Sequence, residues 1–563
     1  MRIFYEGREL PARPGQSVAA ALIAAGIPAW RTTRHAGRPR GLFCGIGSCH
    51  DCLATIDDTP PQRTCVVPVR DGMRVSSASV PEPPGPAAPP PGAWAGPPPT
   101  APPGAEGAAP QASAPAPAGS RPVGGRPPSA GVAFAPQAVV VGAGPAGLGV
   151  AVTAAERGVS VVLLDAGERP GGQYWRHAAD DDVRGPFAGW WRRLRAQVAA
   201  GRIDYRPGQQ VWLVTREDDA RFRVETTPAH DGVRPLPGPV EAAAVVLCPG
   251  GADRQLPVPG WTLPGVVAAG GAQALLKGHR TVAGRRVLVA GTGPFLLPVA
   301  TGLARAGARV VGVWEANSPL RWARQARAVL PVPGKLAEAA GYAAALARHR
   351  VPYRPRTAVA EILGTDRVRA VRRAVVGRDG VPRAVPGEVE VDLVALGWGF
   401  TPALELPLQL GVATRLDVDG SLVVDVDREQ RTDVPGVRRL RATIRAHRAF
   451  AAAMHRAHPV PAGWPRWLTD DTLLCRCEEV PHAAVRAAHA ELGAADARTV
   501  KMLTRLGMGW CQGRVCGFAA ACLTAALDGR SPDEGDARAT ASRPLAVPVP
   551  LAELAGEADD AAN

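Results

Sequence analysis

Eight of the ten cysteines in this 563-residue chain form two groups of four, one near each end of the sequence. The first group has the plant-type spacing for one [2Fe–2S] cluster, C-x4-C-x2-C-x12-C. Three thiolates on one tight loop can reach both irons, and a fourth from a neighbouring strand completes the set. Gly45 and Gly47 let backbone N–H groups approach the sulfurs. The predicted ligands are Cys44, Cys49, Cys52 and Cys65.

The second group consists of two close pairs with the spacing C-x-C-x33-C-x4-C. Each pair can serve one iron of a second [2Fe–2S] cluster, and the loop of the last pair supplies Gly513 and Arg514. For both groups a structural zinc site is the alternative, although zinc sites favour paired C-x2-C units. Cys248 and Cys522 remain, and we interpret them as small buried apolar residues. The predicted ligands of the second group are Cys475, Cys477, Cys511 and Cys516.

A first dinucleotide-binding fold is predicted where an apolar strand runs into the sequence GAGPAG, a GxGxxG turn. The three glycines serve the turn, the approach of a pyrophosphate and helix–strand packing. An acid follows the next strand, where it can meet a ribose hydroxyl, and a second Gly-rich turn with an arginine is common in FAD folds. The predicted binding residues are Gly142, Gly144, Pro145, Ala146, Gly147, Asp165, Arg169, Gly172 and Gln173.

A second unit of the same kind begins with the strand and turn VLVAGTGPFL. Gly291 and Gly293 would form the turn, and Glu315 would be the acid. Leu296 stands where the third glycine belongs, so we expect the helix to be pushed away or the groove to be altered. The alternatives are therefore a functional NAD(P)H site and a fold that keeps its shape without binding, and we favour the second.

These motifs predict a multidomain α/β protein with a β-grasp ferredoxin-like domain, a core of two dinucleotide-binding domains and a small helical C-terminal domain. Pro, Ala and Gly dominate the segment after the first domain, which indicates a flexible or semi-extended linker. The predicted boundaries are 1–80 for the ferredoxin-like domain, 81–136 for the linker, 137–437 for the core with its second nucleotide fold at about 282–385, 438–468 for a helical connector, 469–530 for the C-terminal cluster domain and 531–563 for a partly disordered tail.

The net charge of +14 invites a nucleic-acid interpretation, but the chain carries no recognisable nucleic-acid-reading motif. Only Lys277, Lys335 and Lys501 are lysine, so arginine supplies nearly all of the positive charge, as in a GC-rich genome. We find no signal-peptide-like start and no apolar run long enough to span a bilayer. We therefore expect a cytoplasmic protein with no transmembrane segment and no nucleic-acid partner.

Together these motifs resemble the FAD/iron–sulfur subunits of heteromeric amine and amino-acid dehydrogenases, such as hydrogen cyanide synthase, octopine and nopaline oxidases, hydroxyproline dehydrogenase and the α subunit of sarcosine oxidase. The C-terminal domain resembles bacterioferritin-associated ferredoxins. The resemblance is most specific at residues 41–52, 142–147, 291–297, 474–479 and 507–517. It implies a partner subunit that oxidises the amine on its own flavin, an external electron acceptor, and a relay role for this chain.

One departure from that family concerns the end of the flavin fold. The sequence TDVPGV reaches Val437 and passes directly into an arginine-rich segment, without the expected strand, acid and Gly-rich helix start. We therefore predict a truncated FAD fold that binds FAD weakly or holds another adenine nucleotide, with the sheet edge beside the first strand exposed or covered by something else. Besides the relay role, the alternatives are a self-contained NAD(P)H-dependent flavin reductase and a non-catalytic iron–sulfur scaffold.

Overall fold

The computed structural model describes residues 1–78, 136–178, 183, 185–217, 221–230, 238–427, 432 and 444–549. The predicted linker up to residue 135, the junction at Val437 and residues 550–563 lie outside this part of the chain. Within the described residues, no helix combines the length and the apolar character needed to cross a membrane.

The N-terminal domain is a five-stranded mixed sheet packed on one helix. Its strand order is β2-β1-β7-β5-β6, with β3 and β4 forming a separate hairpin. The helix begins where the Ser17 hydroxyl accepts a hydrogen bond from the backbone N–H of Ala20, and its apolar residues are buried in the sheet. The elements are β1 (Arg2–Tyr5), β2 (Arg8–Pro11), α1 (Val18–Ala24), β3 (Arg31–Thr32), β4 (Pro39–Arg40), β5 (Leu53–Ile56), β6 (Gln62–Arg63) and β7 (Arg74–Ser77).

The first nucleotide fold is a parallel sheet, in the order β10-β9-β8-β14, beside an antiparallel three-stranded sheet. β8 pairs with β9 on one side and with β14 on the other. The sheet edge beside the first strand is therefore covered by a strand of the same fold. The elements are β8 (Ala138–Val141), α2 (Pro145–Glu156), β9 (Val161–Asp165), α3 (Pro186–Ala199), β10 (Ile203–Pro207), β11 (Gln209–Arg216), β12 (Phe222–Pro228), β13 (Val240–Ala242), β14 (Ala244–Leu247) and β15 (Gly251–Asp253).

The second nucleotide fold has the parallel order β16-β23-β17-β18-β19 and its own antiparallel sheet of β20, β21 and β22. β24 returns to pair with β15, which joins the two folds. The elements are β16 (Val266–Ala268), α4 (Ala269–His279), β17 (Arg286–Gly291), α5 (Leu296–Arg305), β18 (Arg309–Glu315), a 3-10 turn (Pro319–Gln325), α6 (Ala326–Val329), α7 (Pro333–Arg348), β19 (Tyr353–Pro355), β20 (Thr357–Leu363), β21 (Ala370–Val376), β22 (Pro382–Glu390), β23 (Leu393–Gly397), β24 (Phe400–Pro402), α8 (Glu405–Gln409), β25 (Thr414–Leu416) and β26 (Leu422–Val424).

The C-terminal part is helical and comprises α9 (Ile444–Ala457), a 3-10 turn (Trp464–Trp467), α10 (His482–Leu492), α11 (Ala497–Thr504), α12 (Gly517–Leu527) and α13 (Glu534–Ala541). The last helix lies inside residues 531–563, the segment predicted to be a partly disordered tail. A capping box between Asp533 and Asp536 fixes its start. Arg530 pairs with the buried Asp536, so the residues after 530 are tied to the domain.

The N-terminal domain shares hydrophobic cores with the rest of the chain. Leu22 of α1 belongs to the same buried cluster as Leu275 of α4 and Val289 of β17. Phe43, beside the first cysteine loop, belongs to a second cluster that reaches Leu474 in the C-terminal domain. Both cysteine loops are therefore built into the interior of one compact unit.

Candidate functional site

The first cysteine loop, between β4 and β5, carries three buried thiols and meets a fourth, Cys65, which follows β6. Hydrogen bonds link the thiols in the order Cys49, Cys44, Cys65 and Cys52. The backbone N–H of Cys49 donates to Cys44 Sγ at 3.4 Å, and that of Asp51 donates to Cys49 Sγ at 3.5 Å. Gly45 and Gly47 have positive φ angles of 66° and 79° within this loop. The four predicted ligands thus face one another, and backbone donors point at the sulfurs.

The electrostatics of this loop favour at least one thiolate. Hydrogen bonds from the Cys49 and Cys65 thiols, with others from backbone N–H groups, hold the pKa of Cys44 well below its ordinary value. Burial raises the pKa of Cys49 well above its ordinary value. Since thiolates are the metal-binding form, a cationic group at the centre would stabilise the whole set.

The second cysteine group converges in the same way, with one pair before α10 and the other between α11 and α12. The Sγ atoms of Cys477 and Cys511 lie 3.7 Å apart, and Cys475 is linked to both Cys477 and Cys516. These thiol hydrogen bonds, with the backbone N–H of Glu478 donating to Cys475 Sγ at 3.4 Å, hold the pKa of Cys475 well below its ordinary value. Cys475, Cys511 and Cys516 are buried, and Cys477 is half-buried. The donor set fits a soft metal or an iron–sulfur cluster.

The glycine-rich turn of the first nucleotide fold has three distinct environments. Gly142 has a φ of 97°, and an added Cβ would lie 2.2 Å from the carbonyl oxygen of Cys248. A Cβ on Gly147 would lie 1.7 Å from the carbonyl oxygen of Gly142, so the helix packs directly on the turn. Gly144 faces open space, with only Gly172 Cα within 4 Å of its added Cβ. This arrangement leaves room for a phosphate at Gly144 and at the start of α2.

Asp165 ends β9 and points into the same space. Its Oδ1 accepts a hydrogen bond of 3.3 Å from the backbone N–H of Gly167. Its Oδ2 is buried and has no hydrogen-bond partner among the described residues. Burial raises the pKa of Asp165 to about 6. A buried carboxylate oxygen with no partner fits a ribose hydroxyl, so the residues present fit an adenine dinucleotide such as FAD.

The space beside Asp165 is part of a cavity of about 2270 Å³. The predicted residues Pro145, Ala146, Arg169, Gly172 and Gln173 line it with Gly142, Gly144 and Asp165, whereas Gly147 serves packing. The wall also contains Arg176, Lys277 and Asp253, which the motif search did not find. Burial raises the pKa of Asp253 to about 7. Arg176 could have been predicted, because it closely follows the second Gly-rich turn. No motif in α4 indicates that Lys277 lines the cavity.

Both cysteine loops border this cavity. Cys65 and Ser48 contribute to the wall from the N-terminal domain. Gly513 and Arg514 contribute from the C-terminal domain, and Arg514 is fixed there by an ion pair of 2.9 Å with Glu405. The structure therefore brings the first nucleotide fold and the two cysteine groups to one shared space.

The acid of the second nucleotide fold is already hydrogen-bonded within the chain. Glu315 is 1% exposed, and its carboxylate accepts from Thr292 Oγ1 at 2.7 Å and from the Gly293 N–H at 2.8 Å. His458 lies beside it, with Nδ1 3.3 Å from Oε2, and Trp322 Nε1 donates to His458 Nε2 at 2.9 Å. These contacts use the oxygens that a ribose would need.

Leu296 is buried at the start of α5, where the sequence places it instead of the third glycine. Its Cδ2 would be 3.2 Å from a Cβ added to Gly397 on β23. A Cβ on Gly291, which has a φ of 141°, would lie 1.7 Å from the Gly397 carbonyl oxygen. The missing side chain of Gly397 thus makes room for the leucine, and that of Gly291 lets the turn lie directly against β23, so the fold keeps its Rossmann form.

Two family models match these parts of the chain. Residues 1–80 match a 2Fe-2S iron-sulfur cluster binding domain, and residues 136–437 match the pyridine nucleotide-disulphide oxidoreductases. The fold and the first cysteine loop therefore define an iron–sulfur flavoprotein oxidoreductase. Because the second match covers more than half of its length, the chain belongs to the pyridine nucleotide-disulphide oxidoreductase family.

Similar proteins place it more narrowly among FAD/[2Fe–2S] subunits, which confirms the resemblance stated from the sequence. Hydrogen cyanide synthase subunit HcnB of Pseudomonas aeruginosa is 31% identical over 432 residues, covering 67% of this chain and 90% of that subunit. Subunit HcnA of the same organism is 40% identical over 79 residues, covering 14% of this chain and 75% of that subunit. L-proline dehydrogenase from P. horikoshii shares the fold, with a TM-score of 0.61 and 17% identity over 98% of this chain and 96% of that chain.

Proposed function

We propose that this chain is the electron-transfer subunit of an amine or amino-acid dehydrogenase and carries two [2Fe–2S] clusters beside one nucleotide site. The observation that carries the proposal is the shared cavity, to which Cys65 of the first group and Gly513, from the loop between Cys511 and Cys516, both contribute. A cofactor bound along Asp165 would lie in the space that both cysteine loops border. Such an arrangement serves one-electron exchange better than an isolated reductase site.

The residues of the first nucleotide fold would hold FAD or another adenine nucleotide. Gly144 and the N-terminus of α2 would receive the phosphates, and the free Oδ2 of Asp165 would accept a ribose hydroxyl. When bound, a flavin exchanges electrons in pairs or singly, whereas the protein sets distance, orientation and dielectric.

A partner subunit would supply the electrons. The similar proteins HcnA and HcnB are named as separate subunits of one synthase, and this chain covers both similarities in a single polypeptide. We infer a flavin-containing, oxidase-like partner that oxidises the substrate, and an external acceptor that takes the electrons from the clusters. The N-terminal domain of this chain would then take the place of a separate small ferredoxin subunit.

The two alternative functions receive less support. An NAD(P)H-dependent reductase needs a second nucleotide site, and Glu315 is engaged by Thr292 and Gly293 there. A non-catalytic scaffold has no need for the unpaired Oδ2 of Asp165 or for the cavity beside it. Both observations favour the relay role.

The test is anaerobic purification of the chain alone and together with a candidate oxidase-like partner subunit. We expect about four iron atoms and four acid-labile sulfides per chain, as two [2Fe–2S] clusters require. We also expect the clusters to be reduced by an amine or amino acid only when the partner is present. Zinc in either site, or rapid reduction of the isolated chain by NADH or NADPH, would contradict the proposal.

A further inference from the structure

A buried ion pair joins the two cysteine loops directly. Asp51 lies between Cys49 and Cys52, and Arg476 lies between Cys475 and Cys477. Arg476 Nε donates to Asp51 Oδ2 at 2.7 Å, and the two side chains are 4% and 1% exposed. Each partner of this pair is thus the immediate sequence neighbour of a predicted cluster ligand in its own loop.

Further contacts fix Arg476 against the first loop. Its guanidinium carbon lies 4.0 Å from the ring centre of Phe43, the residue before Cys44, and 5.1 Å from that of Trp261. Arg40 Nη2 donates to the backbone carbonyl of Arg476 at 3.3 Å. The arginine is therefore enclosed on several sides and has one well-defined position.

Hydrogen bonds continue from this pair to a sulfur in the first group. The backbone N–H of Asp51 donates to Cys49 Sγ at 3.5 Å. Arg476 is bonded through its own backbone to Cys475 and Cys477. A path from Cys49 to Cys475 therefore crosses only two hydrogen bonds, and all of its other steps are covalent.

Stability alone gives a weak reason for such a pair. Burying two charges costs desolvation energy, and well-packed apolar residues often replace a buried ion pair without loss of stability. The same two domains are also held together by Arg34, which pairs with Glu478 at 3.3 Å, and by the Ala36 N–H, which donates to Glu479 at 2.9 Å. These outer contacts do not involve the first cysteine loop.

We propose that Asp51 and Arg476 form the electron bridge between the two clusters, so that the clusters exchange electrons directly as well as through the cavity. This inference rests on the proposed function, which supplies the second cluster. In each exchange one electron leaves a reduced cluster and enters an oxidised one. No proton moves, and the ion pair keeps its charges.

Two double variants distinguish the effect of the hydrogen bond between Asp51 and Arg476 from the effect of their charges. Asp51→Leu with Arg476→Met removes the hydrogen-bonded path and leaves no unpaired charge. Asp51→Asn with Arg476→Gln removes the same charges but keeps an amide hydrogen bond between the loops. Arg34→Gln is the interface control, because it removes an outer contact between the same domains.

The experiment uses the full-length chain with both clusters, reduced by less than one electron equivalent from photoreduced deazaflavin and frozen at set times. Paramagnetic resonance then gives the rate of electron exchange, and spin–spin interaction in the fully reduced sample reports the distance between clusters. We expect the Leu/Met variant to slow exchange by an order of magnitude or more at an unchanged spin–spin interaction. The Asn/Gln variant and Arg34→Gln should stay close to the unmodified chain.

The proposed bridge would be refuted if the Leu/Met variant, with both clusters present, exchanged electrons as fast as the unmodified chain. The proposed function would then still stand. A chain with a single cluster and no spin–spin interaction would overturn both. If the Leu/Met variant does not assemble both clusters, Asp51→Ala with Arg476→Met removes the same hydrogen bond with a smaller side chain at position 51 and again leaves no unpaired charge. An unchanged exchange rate in that variant would equally refute the bridge.

Discussion

The backbone N–H of Gly293 donates a hydrogen bond of 2.8 Å to Glu315 Oε2, within the turn where a second nucleotide would bind. A ribose would have to displace this bond and the one from Thr292. We therefore expect NADH and NADPH to leave the visible spectrum of the anaerobic chain unchanged, while dithionite bleaches it. Rapid bleaching by either nucleotide would show that the turn opens and would favour the reductase function.

The two cysteine groups should be separable by single substitutions. Cys49→Ser removes a ligand of the first group and Cys511→Ser a ligand of the second, and the two loops lie in different domains. Each variant should therefore lose one paramagnetic signal of the reduced protein and keep the other. The measurement is a pair of spectra recorded beside that of the unmodified chain. Loss of both signals in either variant would mean that the sites do not assemble independently.

Asp165 should make nucleotide binding depend on pH. Because burial raises its pKa to about 6, the carboxyl is largely protonated below that pH and loses the charge that strengthens its hydrogen bond from a ribose hydroxyl. We expect FAD affinity to rise between about pH 5 and pH 7. Asp165→Asn should bind about tenfold to a hundredfold more weakly at pH 7, the effect of a charged hydrogen bond, and should show a flatter profile. Fluorescence titration with FAD measures both.

The raised pKa of Asp165 should also make the stability of the nucleotide-free chain depend on pH. The folded chain keeps on Asp165 a proton that the unfolded chain loses near the ordinary pKa of 3.8. The free energy of unfolding contributed by this group therefore falls as the pH rises from about 4 to about 6. Asp165→Asn should remove that fall, which thermal melts at several pH values can detect.

Gly509 should be essential to the second cysteine group. A Cβ at this position would lie 2.2 Å from Cys477 Cβ, closer than atoms can pack, so Gly509→Ala must displace a ligand. We expect the variant to lose about half of its iron and to keep the signal of the first group. Gly341→Ala on α7 is the matched control, because nothing lies within 4 Å of its added Cβ. Full iron content in Gly509→Ala would show that the loop can move.

The sequence predicted which cysteines lie together and where the first glycine-rich turn stands, because a cluster or a dinucleotide would impose that spacing. The thiols of Cys44 and Cys65 meet, and Asp165 stands at the end of its strand, where the motif requires it. Leu296 was expected to push its helix away or to alter the groove. Room for it comes from the missing side chain of Gly397 on β23, which is far away in sequence but pairs with β17 in the sheet. Such compensation depends on tertiary packing and leaves no local signal.

The contacts between domains were likewise beyond the reach of the sequence. Nothing in the pattern around Arg476 indicates that it meets Asp51, which lies 425 residues away. The capped helix over Glu534–Ala541 was hidden by a composition typical of a disordered tail. Thr414 holds this helix from far along the chain, because its hydroxyl donates to Glu534 Oε1 at 2.5 Å and accepts from Arg538 Nη1 at 2.9 Å. Local composition carries no signal of such contacts.

The common core of Leu22, Leu275 and Val289 means that the N-terminal domain is no docking partner of the nucleotide folds but part of their interior. A free ferredoxin must diffuse, collide and orient before each electron moves, and its rate follows concentration, ionic strength and viscosity. A carrier with a shared core has nothing to undock. Electron transfer from the nucleotide site to this cluster should therefore be first order and insensitive to glycerol, because folding alone sets the distance between them.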